Sequence, residues 1–256
     1  MRMQTASRAH RAFTLIELLV VISIILLLVS VLLPSLSSAR IQAKRTVTLA
    51  HLRGIGIAMT AYQNDNNDAY PAMVDRAEKA FLGLSLLASQ HNLDPRLLIN
   101  PNTLDTHAAA RSEDGRPILA DLGGVAITSD TPINTSNIGQ VRFHCSYSYD
   151  NDVKEKFGNT GRSIVYLGDR ADYENGRTFS ANWGGEGMGL LWTDGHGEFR
   201  RKKSLREQSD PNIYHHNEWM GEGGAEVVDG VSVTKRTLDT HLRFFSEEED
   251  DALLPD

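Results

Sequence analysis

At 256 residues, 41% apolar and 23% charged with a formal net charge of −7, the chain has the make-up of one folded domain plus a membrane segment. Residues 1–12 hold Arg2, Arg8 and Arg11 and no acid, so without them the net charge falls to −10, and Glu247, Glu248, Glu249, Asp250 and Asp251 crowd the end. That balance argues against nucleic acid as a partner, and a single cysteine, Cys145, excludes an internal disulfide.

The first predicted element is the apolar run Phe13–Leu33, in which Glu17 is the only ionisable residue among 21. As a helix the run spans about 31 Å, the thickness of a bilayer's hydrocarbon core. A cleaved secretory signal has a shorter apolar region, of roughly 7–15 residues. A plain signal anchor fits the length and the basic leader, but it leaves Glu17 as a cost of about 3 kcal/mol with no return.

Ala12-Phe13-Thr14-Leu15-Ile16-Glu17 resembles the cleavage and methylation motif of type IV pilins and type II secretion pseudopilins. The resemblance implies cutting between Ala12 and Phe13 by a prepilin peptidase, followed by methylation of the new amine. Glu17 then stands at the family's fifth mature position and Pro34 at its twenty-second. Ala12 replaces the usual glycine. The resemblance further implies that Glu17 pairs with the Phe13 amine of a neighbouring subunit, turning a costly carboxylate into a register device.

From Pro34 to residue 66 the pattern predicts an amphipathic stalk, with Ile41, Val47, Leu49, Leu52, Ile55, Met59 and Tyr62 at helical spacing. Pro34 is expected to kink it. "NDNNDAYP" (64–71) ends the helix, "FLGLSLLASQHNL" (81–93) reads as a second short helix, and "DPRLLINP" (94–101) reads as extended. Residues 102–140 read as a loop-rich insertion. In "VRFHCSYSY" (141–149) alternation predicts one half-buried strand, with Cys145 on its inner face. "SIVYLGD" (163–169) is a further strand. "GLLWTDGHGEFRR" (189–201) reads as a hairpin turning on a type I′ Asp194-Gly195, and "EVVDGVSVT" (226–234) repeats the device.

The fold class is therefore α+β: a long N-terminal helix, transmembrane then stalk, packed on an antiparallel sheet head, as in pilins. The organisation is a leader (1–12), a transmembrane helix (13–33), a stalk (34–66), a head (67–245) with its insertion (102–140), and an acidic tail (246–256).

"AYQNDNNDAYPAM", "LDPRLLINPN", "SYSYDN" and "NWGGEGMGLLWTDGHGEF" look like the pseudopilin-like proteins that planctomycetes and related bacteria carry in many copies. In that motif Trp183, followed by Gly184, stands where relatives tend to have histidine, while Asp194-Gly195 is retained. Major pseudopilins of type II secretion hold a structural calcium, and the resemblance nominates Asp169, Asp172 and Glu174 as its oxygens here.

Other chemistry finds weaker support. "ANWGGEGMG" (181–189) is glycine-rich but precedes a strand and lacks the Lys-Ser/Thr pair of a phosphate loop. Asp194, His196, His215, His216 and Glu218 offer a metal or acid/base set at a spacing that matches no HExxH pattern. The expected function is a non-enzymatic subunit of a type II secretion or type IV pilus-like fibre. Its partners would be other pseudopilins, the prepilin peptidase, the inner-membrane assembly machinery and membrane lipid. It would cross the inner membrane once, leader in the cytoplasm and head in the periplasm. The alternative is a membrane-anchored periplasmic enzyme or ligand-binding module, marked by a pocket where Asp194, His196 and His215 converge.

Overall fold

The computed structural model describes residues 15–71, 79–91, 93–107, 109–150, 163–172, 177–201, 226–228, 231–233 and 242–245. The chain divides into two compact units, Met1–Ala43 and Lys44–Asp256. One helix, α1 (Leu15–Asp65), runs through Pro34 without interruption. In its apolar part four serines hand their hydroxyl protons to carbonyls one turn back: Ser23 to Leu19, Ser30 to Leu27, Ser35 to Leu32 and Ser38 to Ser35, at 2.8–2.9 Å. Their polarity is thus spent inside the helix, as an apolar surrounding demands.

The stalk's inner face holds Thr48, Leu52, Ile55, Ala58 and Met59, with Leu49 and Tyr62 half-buried against the core. Val47 departs from the expected stripe and is exposed, as is Ile57. The helix ends where Asn67 and Asp68 adopt left-handed backbone (φ +53° and +58°) and the Asn66 amide caps the Tyr62 carbonyl at 2.8 Å. Asparagine and aspartate tolerate that conformation better than other side chains.

Helix α2 (Ala80–Gln90) follows. Two of its first N–H groups, which no helix can satisfy internally, are taken by chain from far downstream: Ala80 by the Phe245 carbonyl and Phe81 by that of Phe244. The stretch 94–101 is not extended as expected. Asp94 caps a 3-10 turn over Pro95–Leu98, accepting from the Arg96 N–H at 2.9 Å, with proline in the first turn, where its missing donor costs nothing.

The 102–140 segment also differs from a plain loop insertion. It supplies β1 (Ala120–Leu122) and β2 (Val125–Ala126), which join β3 (Val141–Phe143) in an antiparallel sheet ordered β2-β1-β3. The single strand predicted over 141–149 is two. β3 alternates buried, exposed, buried, whereas β4 (Tyr147–Tyr149) is buried on both faces and enters a different sheet. The break falls at His144-Cys145-Ser146, where a strand solvated on one side becomes one enclosed on both. Cys145 sits fully buried there, and burial pushes its thiol up to about 12, so it is packing rather than a nucleophile.

The main sheet is antiparallel, ordered β4-β5-β8-β9, with β5 at Val165–Asp169, β8 at Met188–Trp192 and β9 at Gly197–Arg200. The stalk lies on it at glycines: a Cβ on Gly189 would meet Leu52 and Thr48 at 3.0 Å, and one on Gly56 would meet Leu191 at 3.4 Å. Between β5 and β8 run the paired β6 (Ala171–Asp172) and β7 (Arg177–Ser180). β10 (Glu226–Val228) and β11 (Val231–Val233) form a hairpin in which Val228 opposes Val231. Finally Leu242–Phe245 returns to the core, where Arg243 bridges Tyr149 and Phe244 stacks on Phe81 at 4.8 Å.

Gly83 of α2 lies against the Pro71 carbonyl, so an added Cβ would strike backbone. Helix propensity favours Gly83→Ala by about 1 kcal/mol, but the overpacking costs about 1–3 kcal/mol and needs the backbone to move. Gly83→Ala should lower the unfolding midpoint of the detergent-solubilised full chain in urea. An unchanged or raised midpoint would contradict this packing.

Candidate assembly helix and the carboxylate hub of the head

Every residue of α1 from Leu15 to Leu36 is exposed, and the stretch forms the one helix among the described residues long and apolar enough to cross a membrane. Such a surface is unstable in water and must be covered by lipid or protein. Glu17 lies in the first turn, exposed, where the partial positive charge of the helix N-terminus favours a carboxylate. Pro34 lies inside the same helix. The cleavage residues Ala12 and Phe13 lie outside the described residues.

In the head the sequence-nominated Asp169 ends β5 fully buried. Its Oδ1 accepts from the side-chain amides of Asn182 and Asn100 at 2.5 and 2.7 Å, and its Oδ2 from the Gly189 N–H at 2.5 Å and the Trp183 indole N–H at 2.9 Å. A ring of N–H donors suits an anion and repels a cation, so Asp169 is a hydrogen-bond hub and not the calcium ligand expected of it. The side chains of Asp172 and Glu174 lie outside the described residues. Among the described residues no three His, Cys, Asp or Glu side chains gather as a metal site. Burial pushes the Asp169 carboxyl up to about 6, against the pull of the Gly189 N–H, Asn182, Asn100 and Trp183.

The hub ties together Asn100, the end of β5 and the segment from Asn182 to Gly189. Asn100 follows the 3-10 turn and also accepts from the Asn102 N–H at 2.9 Å, while Asn182 donates a second time, to the Ser146 carbonyl at 2.7 Å. Trp183, in the place where the resemblance expects histidine, is buried and edge-on to Phe199 at 5.1 Å. The Arg45 guanidinium of α1 covers the Phe199 ring at 4.4 Å and reaches Glu186 at 3.8 Å. Gly184 (φ +58°) and Gly185 (φ +85°) are both left-handed, the backbone that turns the chain from Trp183 towards β8. Asn100 and Asn182 were not singled out from sequence, although both fall inside the segments "LDPRLLINPN" and "NWGGEGMG" that carried the resemblance.

The β8–β9 hairpin holds Asp194 and Gly195 but not in the expected type I′ turn. Only Gly195 of the pair has positive φ (+84°), the Gly195 N–H donates to the Trp192 carbonyl, and the Trp192 N–H to that of His196. This is a three-residue loop, a type I turn closed by a left-handed glycine. Asp194 accepts from the His196 N–H at 3.1 Å and pairs with its ring at 2.6 Å, so the two residues serve the turn. His215, His216 and Glu218 lie outside the described residues.

Residues 7–33 match the family model described as "Prokaryotic N-terminal methylation motif". The chain is 48% identical over 60 residues to the type IV wide pilus major component PilA4 of Thermus thermophilus, a match covering 23% of this chain. It spans about half, 46%, of that relative's length. No solved structure matches the chain.

Because the folded head holds the Asp169 proton between about pH 4 and about pH 6 while the unfolded chain has released it, the native state binds more protons there. Stability from this group therefore falls as pH rises through that window, by about 2–3 kcal/mol. Asp169→Asn removes this titration. The stability difference, wild type minus variant, should shrink as pH rises from about 4 to about 6, followed by urea unfolding and tryptophan fluorescence. A difference that is flat or grows would contradict the buried hub.

Proposed function

We propose that this type IV pilin-like chain is made as a precursor, cut between Ala12 and Phe13, methylated, and built into a fibre of a type IV pilus or type II secretion-like system, with its head in the periplasm. The carrying observation is the Leu15–Leu36 surface: wholly apolar apart from its serines and Glu17, and exposed along its whole length. In the membrane lipid covers it. In a fibre the same surface of neighbouring subunits covers it, and the Glu17 carboxylate sets the register by meeting the Phe13 amine of the next subunit. The matched methylation motif and the pilin relative support this reading. Gly184 and the Asp194-Gly195 pair support assignment to the planctomycete-type branch, from whose motif Trp183 departs. Partners are accordingly other pilin-like subunits, a prepilin peptidase and an inner-membrane assembly apparatus, and the role is structural rather than enzymatic. A structural calcium, for which Asp172 and Glu174 are the remaining oxygens nominated from the sequence, is part of the proposal.

Intact mass of the membrane-extracted protein should show loss of residues 1–12 and gain of one methyl group. An uncut Met1, or a cut anywhere other than between Ala12 and Phe13, would contradict the proposal. Glu17→Ala should insert normally yet lose co-purification with neighbouring subunits by about tenfold or more, the scale expected for removing one partner of a desolvated ion pair. Undiminished co-purification would rule out the pairing role.

A further inference from the structure

On the outer face of the β2-β1-β3 sheet lies a cavity of about 290 Å³, outside the hub and the helix, lined by Thr106, His107, Ile118, Ala126, Arg142 and His144 among others. Its floor is organised by Asp121, which opposes Arg142 across the β1–β3 ladder. Asp121 Oδ1 accepts from the Gly124 N–H at 2.8 Å and from Arg142 Nε and Nη2 at 3.1 and 3.0 Å, and its Oδ2 meets His144 Nε2 at 2.9 Å. His144 Nδ1 is in turn anchored on the Thr106 carbonyl at 2.8 Å. Burial raises Asp121, but His144, the Gly124 N–H and Arg142 outweigh it and hold the carboxyl below its usual range.

The carboxylate is therefore spent on its own neighbours. It can neither recruit a cation nor act as a base without breaking that set. Arg142 is in a different position. Two of its five N–H donors go to Asp121, which fixes the plane of the guanidinium, and the side chain is 67% exposed. Its remaining Nη1–Nη2 edge has the spacing of a carboxylate's two oxygens, and the side chain lines the cavity together with His107. Ile118 and Ala126 supply apolar wall for a short chain behind it. A small cavity with apolar walls, one pre-oriented cation and an imidazole selects a compact anion over a sugar, a nucleotide or a metal ion.

We propose that this cavity binds a carboxylate on a short aliphatic stem, with Arg142 as its anchor and Asp121 as the residue that positions it. Two sources share that chemistry: a free small dicarboxylate, and a glutamate side chain presented by another protein.

Full-length protein in detergent micelles, labelled with 15N-arginine, is titrated with glutarate, with neutral glutaramide, and with a terminally blocked Ala-Glu-Ala peptide whose only carboxylate is the side chain. The Arg142 Nε–H signal should shift saturably, with a dissociation constant of about 1 mM, and glutaramide should leave it in place. Arg142→Gln should weaken binding by about tenfold or more, read from competing ligand signals. Ala126→Leu should do the same by filling the cavity without touching charge, and Arg111→Gln, outside the lining, should bind as wild type. A response to glutarate alone assigns the site to a free metabolite-sized acid, and a response to the peptide alone assigns it to a partner's side chain. Absent or linear shifts with both carboxylate probes, an equal response to glutaramide, or full binding by Arg142→Gln would overturn the proposal.

Discussion

The head is organised around one buried carboxylate. Asp169 draws donors from Asn100, Asn182, Trp183 and Gly189, so that the turn after the 3-10 helix and the Gly-rich turn before β8 are both tied to the end of β5. A buried carboxylate without partners is costly by several kcal/mol, so every donor is held to its place by the others. The consequence reaches the stalk. Gly189 is both a donor to the hub and a site where Thr48 and Leu52 of α1 leave no room for a side chain on the sheet. Asn102, next door to the hub's Asn100, accepts from Lys44 at 2.9 Å, and Trp183 belongs to the aromatic pair on which Arg45 lies. The hub, the Gly-rich turn and the start of the head's share of α1 are thus one network of interactions.

A head built this way has a mechanical logic. The chain closes on itself at Leu242–Phe245, whose carbonyls cap α2 and whose side chains fill the core beside Phe81 and Phe143. With one cysteine and no disulfide available, closure depends on burial and on these backbone pairings. The apolar half of α1 is different in kind. Its serines are satisfied internally and its side chains face outward, so its free energy is set by what surrounds it.

Much of the N-terminal region was legible in sequence, because helix length against bilayer thickness is a one-dimensional constraint and Glu17 breaks an otherwise uniform run. The α+β class, the second helix and the main hairpin also followed from periodicity. What failed depended on partners far along the chain. Asn100 and Asp169 are 69 residues apart, and nothing local distinguishes a carboxylate that will meet four N–H donors from one that will hold a metal. The strand over 141–149 broke in two because β4 is enclosed on both faces, which alternation at its start does not foretell. Residues 102–140 look like loop because β1 and β2 are only three and two residues long. Asp194-Gly195 turned differently because the flanking register left three residues rather than two in the loop.

We propose that the outward-facing part of α1 meets the same helix of a neighbour along one defined face. Single cysteines placed in turn at positions 18–33 of the full chain, oxidised in intact membranes, test it directly, since buried Cys145 is shielded. Inter-subunit cross-links should rise and fall with a period of about 3.6 residues, marking one contact face. Uniform cross-linking at every position, or none at any, would contradict it.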